Sequence, residues 1–184
     1  MRTSESKIKD RAAMREEADR VRAQGRTLVF TNGCFDLLHA GHADYLAFAR
    51  RQGDCLVIGL NTDASVRKAK GPTRPVVPER QRALLLAALE CVDYVVLFDE
   101  AEPEALIHEI TPAVLVKGED WAHYVSGRDW VEANGGRVVL APLVKGWSTT
   151  RLIEQIRAAY ATPTASPAEA RSTHSGETPC QKLS

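Results

Sequence analysis

The chain holds no apolar run approaching the roughly 20 residues that span a bilayer, so no membrane-crossing helix is expected. Its charged start lacks the apolar segment of a secretory leader, which makes the cytoplasm the expected location. Net charge is absent as well. The 24 basic side chains balance 24 acidic ones, leaving no general field for nucleic acid or an anionic membrane, and neither is an expected partner. Cysteine is scarce: Cys34, Cys55, Cys91 and Cys180 form no CxxC and are read as reduced, with Cys55 and Cys91 in apolar settings that favour burial. Cys34 lies near two histidines, but a zinc site with His39 and His42 needs a fourth ligand that the sequence does not offer. Three common signatures are missing. Without GxxxxGK(S/T) a P-loop kinase or ATPase is disfavoured, and without GxGxxG behind the first strand so is a dinucleotide oxidoreductase. No GxSxG elbow presents a serine nucleophile, and no internal repeat is visible.

What is present describes one ordinary domain. A length of 184 residues with 44% apolar and 26% charged side chains suffices for a hydrophobic core of its own. Residues 1–25 read as a single charged helix, anchored by Ile8, Met14 and Val21 and stopped by Gly25, packed on the domain edge or at a subunit contact. Short apolar strands are expected at 27–31, 55–60, 94–98, 113–116 and 137–141. Helices are expected at 43–51, 79–91, 103–110, 129–134 and 149–160, with Leu84, Leu85, Leu86 and Leu89 of the second turned largely inward. This alternation predicts an α/β fold, a five-stranded parallel sheet with helices on both faces, in a single domain over 26–160. From 161 to 184 Thr, Ser, Pro and Ala dominate, and a disordered tail is expected.

In open parallel sheets ligands lie outside the carboxyl ends of the strands, and the notable polar clusters fall at such ends. The first strand runs into Asn32-Gly33-Cys34-Phe35-Asp36 and then His39-Ala40-Gly41-His42. The second leads to Asn61-Thr62-Asp63, the fourth to Lys117-Gly118-Glu119-Asp120-Trp121, and the fifth to Ser148-Thr149-Thr150 at a helix start. Two imidazoles beside a glycine can donate to a polyphosphate that approaches the backbone closely. A hydroxyl-bearing helix start adds free N–H groups and a favourable dipole for an anion. Each cluster has a plainer reading: the histidines as surface or capping residues, Ser148 or Thr149 as an N-cap, Gly33 as a tight turn, Asn61 and Asp63 as caps of a following helix. Lys68, Lys70, Arg74, Arg80 and Arg82 surround a proline-stiffened loop, either as a solvated rim or as a phosphate clamp in which Arg82, inside a helix, is best positioned. Trp121, Trp130 and Trp147 read as packing residues, with Trp147 of interest beside Ser148.

Taken together these motifs resemble the HxGH nucleotidyltransferases of the cytidylyltransferase type. Within that group the chain is most similar, over roughly residues 20–158, to the D-glycero-D-manno-heptose 1-phosphate adenylyltransferases. The resemblance implies a Rossmann-like fold and transfer of a nucleoside monophosphate, AMP from ATP, to a sugar phosphate with release of pyrophosphate. It implies Mg²⁺ accompanying the triphosphate, no metal set from protein side chains, and a dimer or larger assembly. By the same resemblance His39, His42, Lys70 and Arg82 are catalytic, while Asn32, Gly33, Cys34, Phe35, Gly41, Lys117, Gly118, Ser148, Thr149 and Thr150 bind the nucleotide. Asp36, Asn61, Asp63, Arg74 and Asp120 fall to the acceptor side. Related enzymes often carry an arginine shortly before the Ser-Thr-Thr turn, where this chain has Leu143 and Lys145, so Lys145 stands as a candidate replacement. Open alternatives keep the chemistry but change the pair: GTP with heptose 1-phosphate, CTP with glycerol 3-phosphate or phosphoethanolamine, or ATP with FMN. A non-catalytic nucleotide-binding regulatory module is the other class. The N-terminal extension and the string from Asn32 to Asp36 favour the heptose branch.

Overall fold

The computed structural model describes residues 2–143 and 146–161 and builds them around a six-stranded sheet. Strands β1 (Ile8–Lys9), β2 (Leu28–Gly33), β3 (Cys55–Asn61), β4 (Tyr94–Phe98), β5 (Val114–Gly118) and β6 (Arg137–Ala141) lie in the order β1-β4-β3-β2-β5-β6. Every neighbouring pair is parallel. From β2 the chain extends the sheet one way through β3 and β4, then crosses back to lay β5 and β6 on the other side of β2. Strand order therefore reverses between β2 and β5, and a crevice opens at their carboxyl ends.

The apolar strands bury both faces. Leu28, Phe30, Val57 and Leu115 meet Met14, Ala18 and Val21 of α2 (Arg11–Ala23), Leu106, Ile107 and Ile110 of α6 (Glu104–Ile110), and Val131 of α7 (Arg128–Ala133). Val29, Leu56, Ile58, Val114 and Val116 turn the other way, onto Leu46 and Ala49 of α3 (Ala40–Arg50) and Ala83, Leu86 and Ala87 of α5 (Glu79–Ala88). At about 1.5–3 kcal/mol for each large side chain fully buried, these two layers dominate the stability. They also hold the carboxyl ends of β2 and β5 rigid.

Three local expectations are corrected. Residues 1–25 are not one helix: a short helix α1 (Ser4–Lys7) comes first, Asp10 caps α2 by accepting from the Ala13 amide at 2.8 Å, and the two residues before Asp10 pair with Val95 and Val96 as a sixth strand. Two residues without a strand-length apolar run leave little signal, yet they cover the free edge of β4. A helix α4 (Asp63–Lys70) follows β3, capped by Thr62, whose hydroxyl accepts from the Ser65 amide at 3.2 Å. Leu85 is 48% exposed, because the inward stripe of α5 runs through Arg82, Ala83, Leu86 and Ala87 and passes it by. Cys55 is buried as expected and Cys91 only partly so. Cys180, Lys145 and almost all of the expected tail lie outside the described residues. No described helix is long and apolar enough to cross a membrane.

Candidate active site

The chain leaves β2 through a turn in which Phe35 takes a left-handed backbone conformation, φ 42°, unusual for a side chain of this size. Its ring is buried against His42, with centroids 5.3 Å apart. His39 then caps α3: its Nδ1 accepts from the His42 amide at 3.3 Å, which puts the proton of the neutral ring on Nε2. The two imidazoles stack with centroids 3.8 Å apart and planes 17° from parallel. Gly41 sits beneath them. A methyl group there would stand 3.1 Å from His39 Nδ1 and 3.4 Å from Trp147 Cβ, so a side chain would fit only if these neighbours shifted by a few tenths of an ångström. His39 thus fulfils the capping role and the site role together.

Across from this turn lies the start of α8 (Thr149–Tyr160). Ser148 Oγ accepts from the Arg151 amide at 3.1 Å, the ordinary N-cap. Trp147 stacks on His39 with centroids 6.4 Å apart and ties the two helix starts together. His39, His42, Ser148 and Thr149 line one cavity of about 430 Å³, a volume suited to a small cofactor-sized ligand. Gly33, Cys34, Gly41, Lys117, Gly118, Asp120 and Trp121 complete its walls. Lys117, from the end of β5, donates to Asn32 Oδ1 at 2.9 Å and bridges the crevice at the topological switch.

A second lobe of about 470 Å³ opens from the first. Asn32, Phe35, His42, Lys70, Lys117 and Thr149 face both. Arg74, Asp36, Asn61 and Thr150 belong to the second lobe. Asp36 is 1% exposed and works as a structural clamp. It accepts from the Val76 and Val77 amides at 2.9 and 2.8 Å and from Arg74 Nε at 2.6 Å, fixing the proline loop against the histidine turn.

Arg82 does not reach either lobe. Its side chain is fully buried, and four of its hydrogen bonds go to protein: to the carbonyls of Val77 (2.9 Å), Cys34 (2.6 Å) and Asn61 (2.9 Å), and to Asp63 Oδ1 (2.6 Å). A guanidinium has five N–H groups, so almost nothing remains for a phosphate. The expected phosphate clamp is instead an internal strut, and Asp63 is its counter-ion rather than a lining residue. The basic side chains that do line the lobes are Lys70, exposed and shared by both, and Arg74 in the second.

Burial governs the titration of the side chains in the site. Burial pushes His42 from 6.5 down to about 4, with His39 adding to the effect and Asp36 opposing it, so the ring is neutral at pH 7. Its Nδ1 is buried with no hydrogen-bond partner among the described residues. Burial lowers His39 as well, and it lowers Lys117 against the pull of Asp120 and Glu102. For Cys34, burial raises the thiol despite Lys70, Arg82 and Arg74 nearby, which leaves a neutral thiol and no nucleophile. For Asp36, burial favours the acid, but the Val77 and Val76 amides and Arg74 outweigh it and keep the carboxylate ionised.

Depression of His42 has a measurable consequence for stability. Between pH 6.5 and about 4 the unfolded chain takes up a proton that the folded chain refuses. The contribution is intact above about pH 6.5 and is lost as pH falls, by about 3 kcal/mol near pH 4. Urea unfolding at pH 7 and pH 4.5 should show a shallower loss for His42→Gln than for the native chain. Equal slopes would refute a buried neutral imidazole.

Among the described residues no three His, Cys, Asp or Glu side chains converge as a metal cluster. Asp120 is the carboxylate that faces the first lobe. Several lining residues carried no motif in the sequence. Tyr45 is pushed up to about 12 by burial and ties Thr31 to the Val116 carbonyl. Glu102, Tyr124 and Ser126 also line the second lobe. Tyr45 follows the histidines by one helical turn, a spacing that could have flagged it. The other three come from loops without a recognisable pattern. Trp130 packs on His108 instead, away from both lobes.

Comparison with known proteins fits this geometry. The bifunctional protein HldE of Trichlorobacter lovleyi is 55% identical over 160 residues, covering 86% of this chain and 33% of that protein. Its counterpart from Syntrophotalea carbinolica is 55% identical over 157 residues, covering 85% and 32%. The chain spans about a third of the length of these curated relatives. A solved lipopolysaccharide core biosynthesis protein from Thermoplasma volcanium aligns with TM-score 0.54 and 28% identity over 66% of this chain and 98% of that one. Pantothenate synthetase from Thermus thermophilus shares the fold, with TM-score 0.55 and 20% identity over 83% of this chain and 67% of that one. A family model described as cytidylyltransferase-like matches residues 30–173, and with that match over most of its length the chain belongs to the cytidylyltransferase-like family.

Proposed function

We propose that this chain transfers AMP from ATP to D-glycero-D-manno-heptose 1-phosphate, giving nucleotide-activated heptose and pyrophosphate for cell-surface polysaccharide synthesis. The observation that carries the reading is a neutral His42, stacked on His39 and with no partner for its buried Nδ1 among the described residues, lining the same cavity as the hydroxyl-bearing start of α8. The relatives named HldE, the lipopolysaccharide core biosynthesis protein and the heptose-branch motifs support the choice of acceptor. Residues 26–160 form the transferase domain, with 1–25 closing its edge, in a cytoplasmic enzyme that assembles as a dimer or larger.

Nucleotide and acceptor take the two lobes and meet at their shared wall. An oxygen of the acceptor phosphate attacks the α-phosphorus in line; the new P–O bond forms as the bond to the bridging oxygen breaks, and its electron pair leaves on pyrophosphate. A sugar phosphate is already anionic at pH 7, so no general base is needed. The protein aligns two anions and places donors where charge develops. His39 Nε2–H and His42 serve the triphosphate, Thr149 and Thr150 its outer phosphates, and Lys70 and Lys117 the charge between the lobes. Asn32, Gly33, Cys34, Phe35 and Gly118 shape the nucleotide side. Arg74 faces the acceptor phosphate, and Arg82, Asp63 and Asp36 hold the loops in place. Magnesium, which takes one or two carboxylates and otherwise phosphate oxygens, would sit with the triphosphate beside Asp120 and neutralise phosphate charge.

The test is a pyrophosphate-release assay crossing ATP, GTP, CTP and UTP with heptose 1-phosphate, glycerol 3-phosphate, phosphoethanolamine and FMN. Release with ATP and heptose 1-phosphate is expected to exceed all other pairs. Activity confined to CTP would overturn the assignment.

A further inference from the structure

The second lobe holds groups that phosphate chemistry does not use. Ser126 is 8% exposed, and its Oγ is buried with no hydrogen-bond partner among the described residues. Beside it the Tyr124 hydroxyl donates to Glu102 Oε2 at 2.7 Å. Glu102 raises the Tyr124 phenol, as expected for a donor held on a carboxylate, and Ser126 tempers that effect. All three line the lobe that also holds Lys70 and Arg74.

Charge orients an acceptor in this lobe. A phosphate beside Glu102 would meet its carboxylate, so the anionic group belongs with Lys70 and Arg74. An unpaired buried hydroxyl is costly, and one set in a cavity wall is explained when its partner arrives with the ligand. A serine hydroxyl both donates and accepts, as does the hydroxyl of a sugar. The second oxygen of Glu102 is a further acceptor for a ligand hydroxyl. The cluster fits a polyhydroxylated tail.

We propose that Ser126, with Glu102 and Tyr124, binds the sugar hydroxyls of the acceptor and sets the preference for a polyhydroxylated phosphate over a short phosphorylated alcohol. The proposal rests on the acceptor reading given above and adds the residues that discriminate among acceptors.

Steady-state pyrophosphate release at saturating ATP tests it, comparing the native chain with Ser126→Ala and Glu102→Gln. With heptose 1-phosphate varied, both variants are expected to raise KM by about fivefold or more, the worth of one lost hydrogen bond. The KM for ATP should stay within twofold, and kcat/KM with glycerol 3-phosphate should match that of the native chain. An unchanged KM for heptose 1-phosphate in an active enzyme would overturn the subsite alone. So would an equal loss with glycerol 3-phosphate. No release by the native chain with any sugar phosphate would overturn the function proposed above, and the subsite with it.

Discussion

Replacing His42 by alanine is expected to lower kcat by about a hundredfold or more, the scale seen when one preorganised donor to a developing oxyanion is removed. The geometry makes this residue hard to replace. Its ring is fixed between Phe35 and His39, its Nδ1 has no partner within the described protein, and burial keeps it neutral until an anion arrives. A group that binds ground state and transition state alike would raise KM instead. Steady-state kinetics on folded variant protein separate these cases. A kcat within threefold of the native value, with the fold intact by circular dichroism, would remove His42 from the chemistry. His39 is a less clean probe, because its Nδ1 also caps α3 and its loss should cost about 1 kcal/mol of stability as well.

Arg82→Ala carries the second large effect, and it is on folding. The guanidinium is buried, and its removal strands the Asp63 carboxylate and the carbonyls of Cys34, Asn61 and Val77. Breaking a buried ion pair from one side costs about 3–5 kcal/mol, a large fraction of the stability of a domain this size. Denaturant unfolding should show a loss in that range. Lysine should not rescue it, because one ammonium cannot reach three carbonyls and a carboxylate in the fork geometry that arginine provides. If Arg82→Ala changed stability by less than about 0.5 kcal/mol, as a surface substitution does, the strut would be wrong and the phosphate clamp would regain its place.

The contrast between these two residues marks what the sequence makes legible. Parallel strands bury both faces, so β3 reads as the unbroken apolar run from Cys55 to Leu60 and could be placed without coordinates. The histidine turn and the Ser-Thr-Thr start were legible for a related reason: both follow such strands, and sheet topology brings strand ends to one rim. Arg82 reads from the sequence as a phosphate clamp because a guanidinium on a helix beside a basic loop looks free to meet an anion. Only tertiary structure turns three loop carbonyls toward it. Asp36 was hidden in the same way, since its partners are the amides of Val76 and Val77, 40 residues or more along the chain. Ser126 and Glu102 had no strand-end motif at all, and nothing local distinguishes a lining hydroxyl from a solvated one. Lys117 lies between these extremes. Its place at the end of β5 was legible, but its bond across the switch point to Asn32 was not.

The account stands on the two imidazoles gripping the same triphosphate as the start of α8. Nitrogen-detected NMR titration of the histidine rings, with and without a saturating ATP analogue whose α,β-bridge is a methylene group, measures this directly. Bound analogue should lift the His42 pKa from about 4 to the ordinary range or above, because phosphate charge offsets the cost of burial, and both rings should shift together. An analogue that binds while both imidazoles keep their free-state titration curves would contradict it.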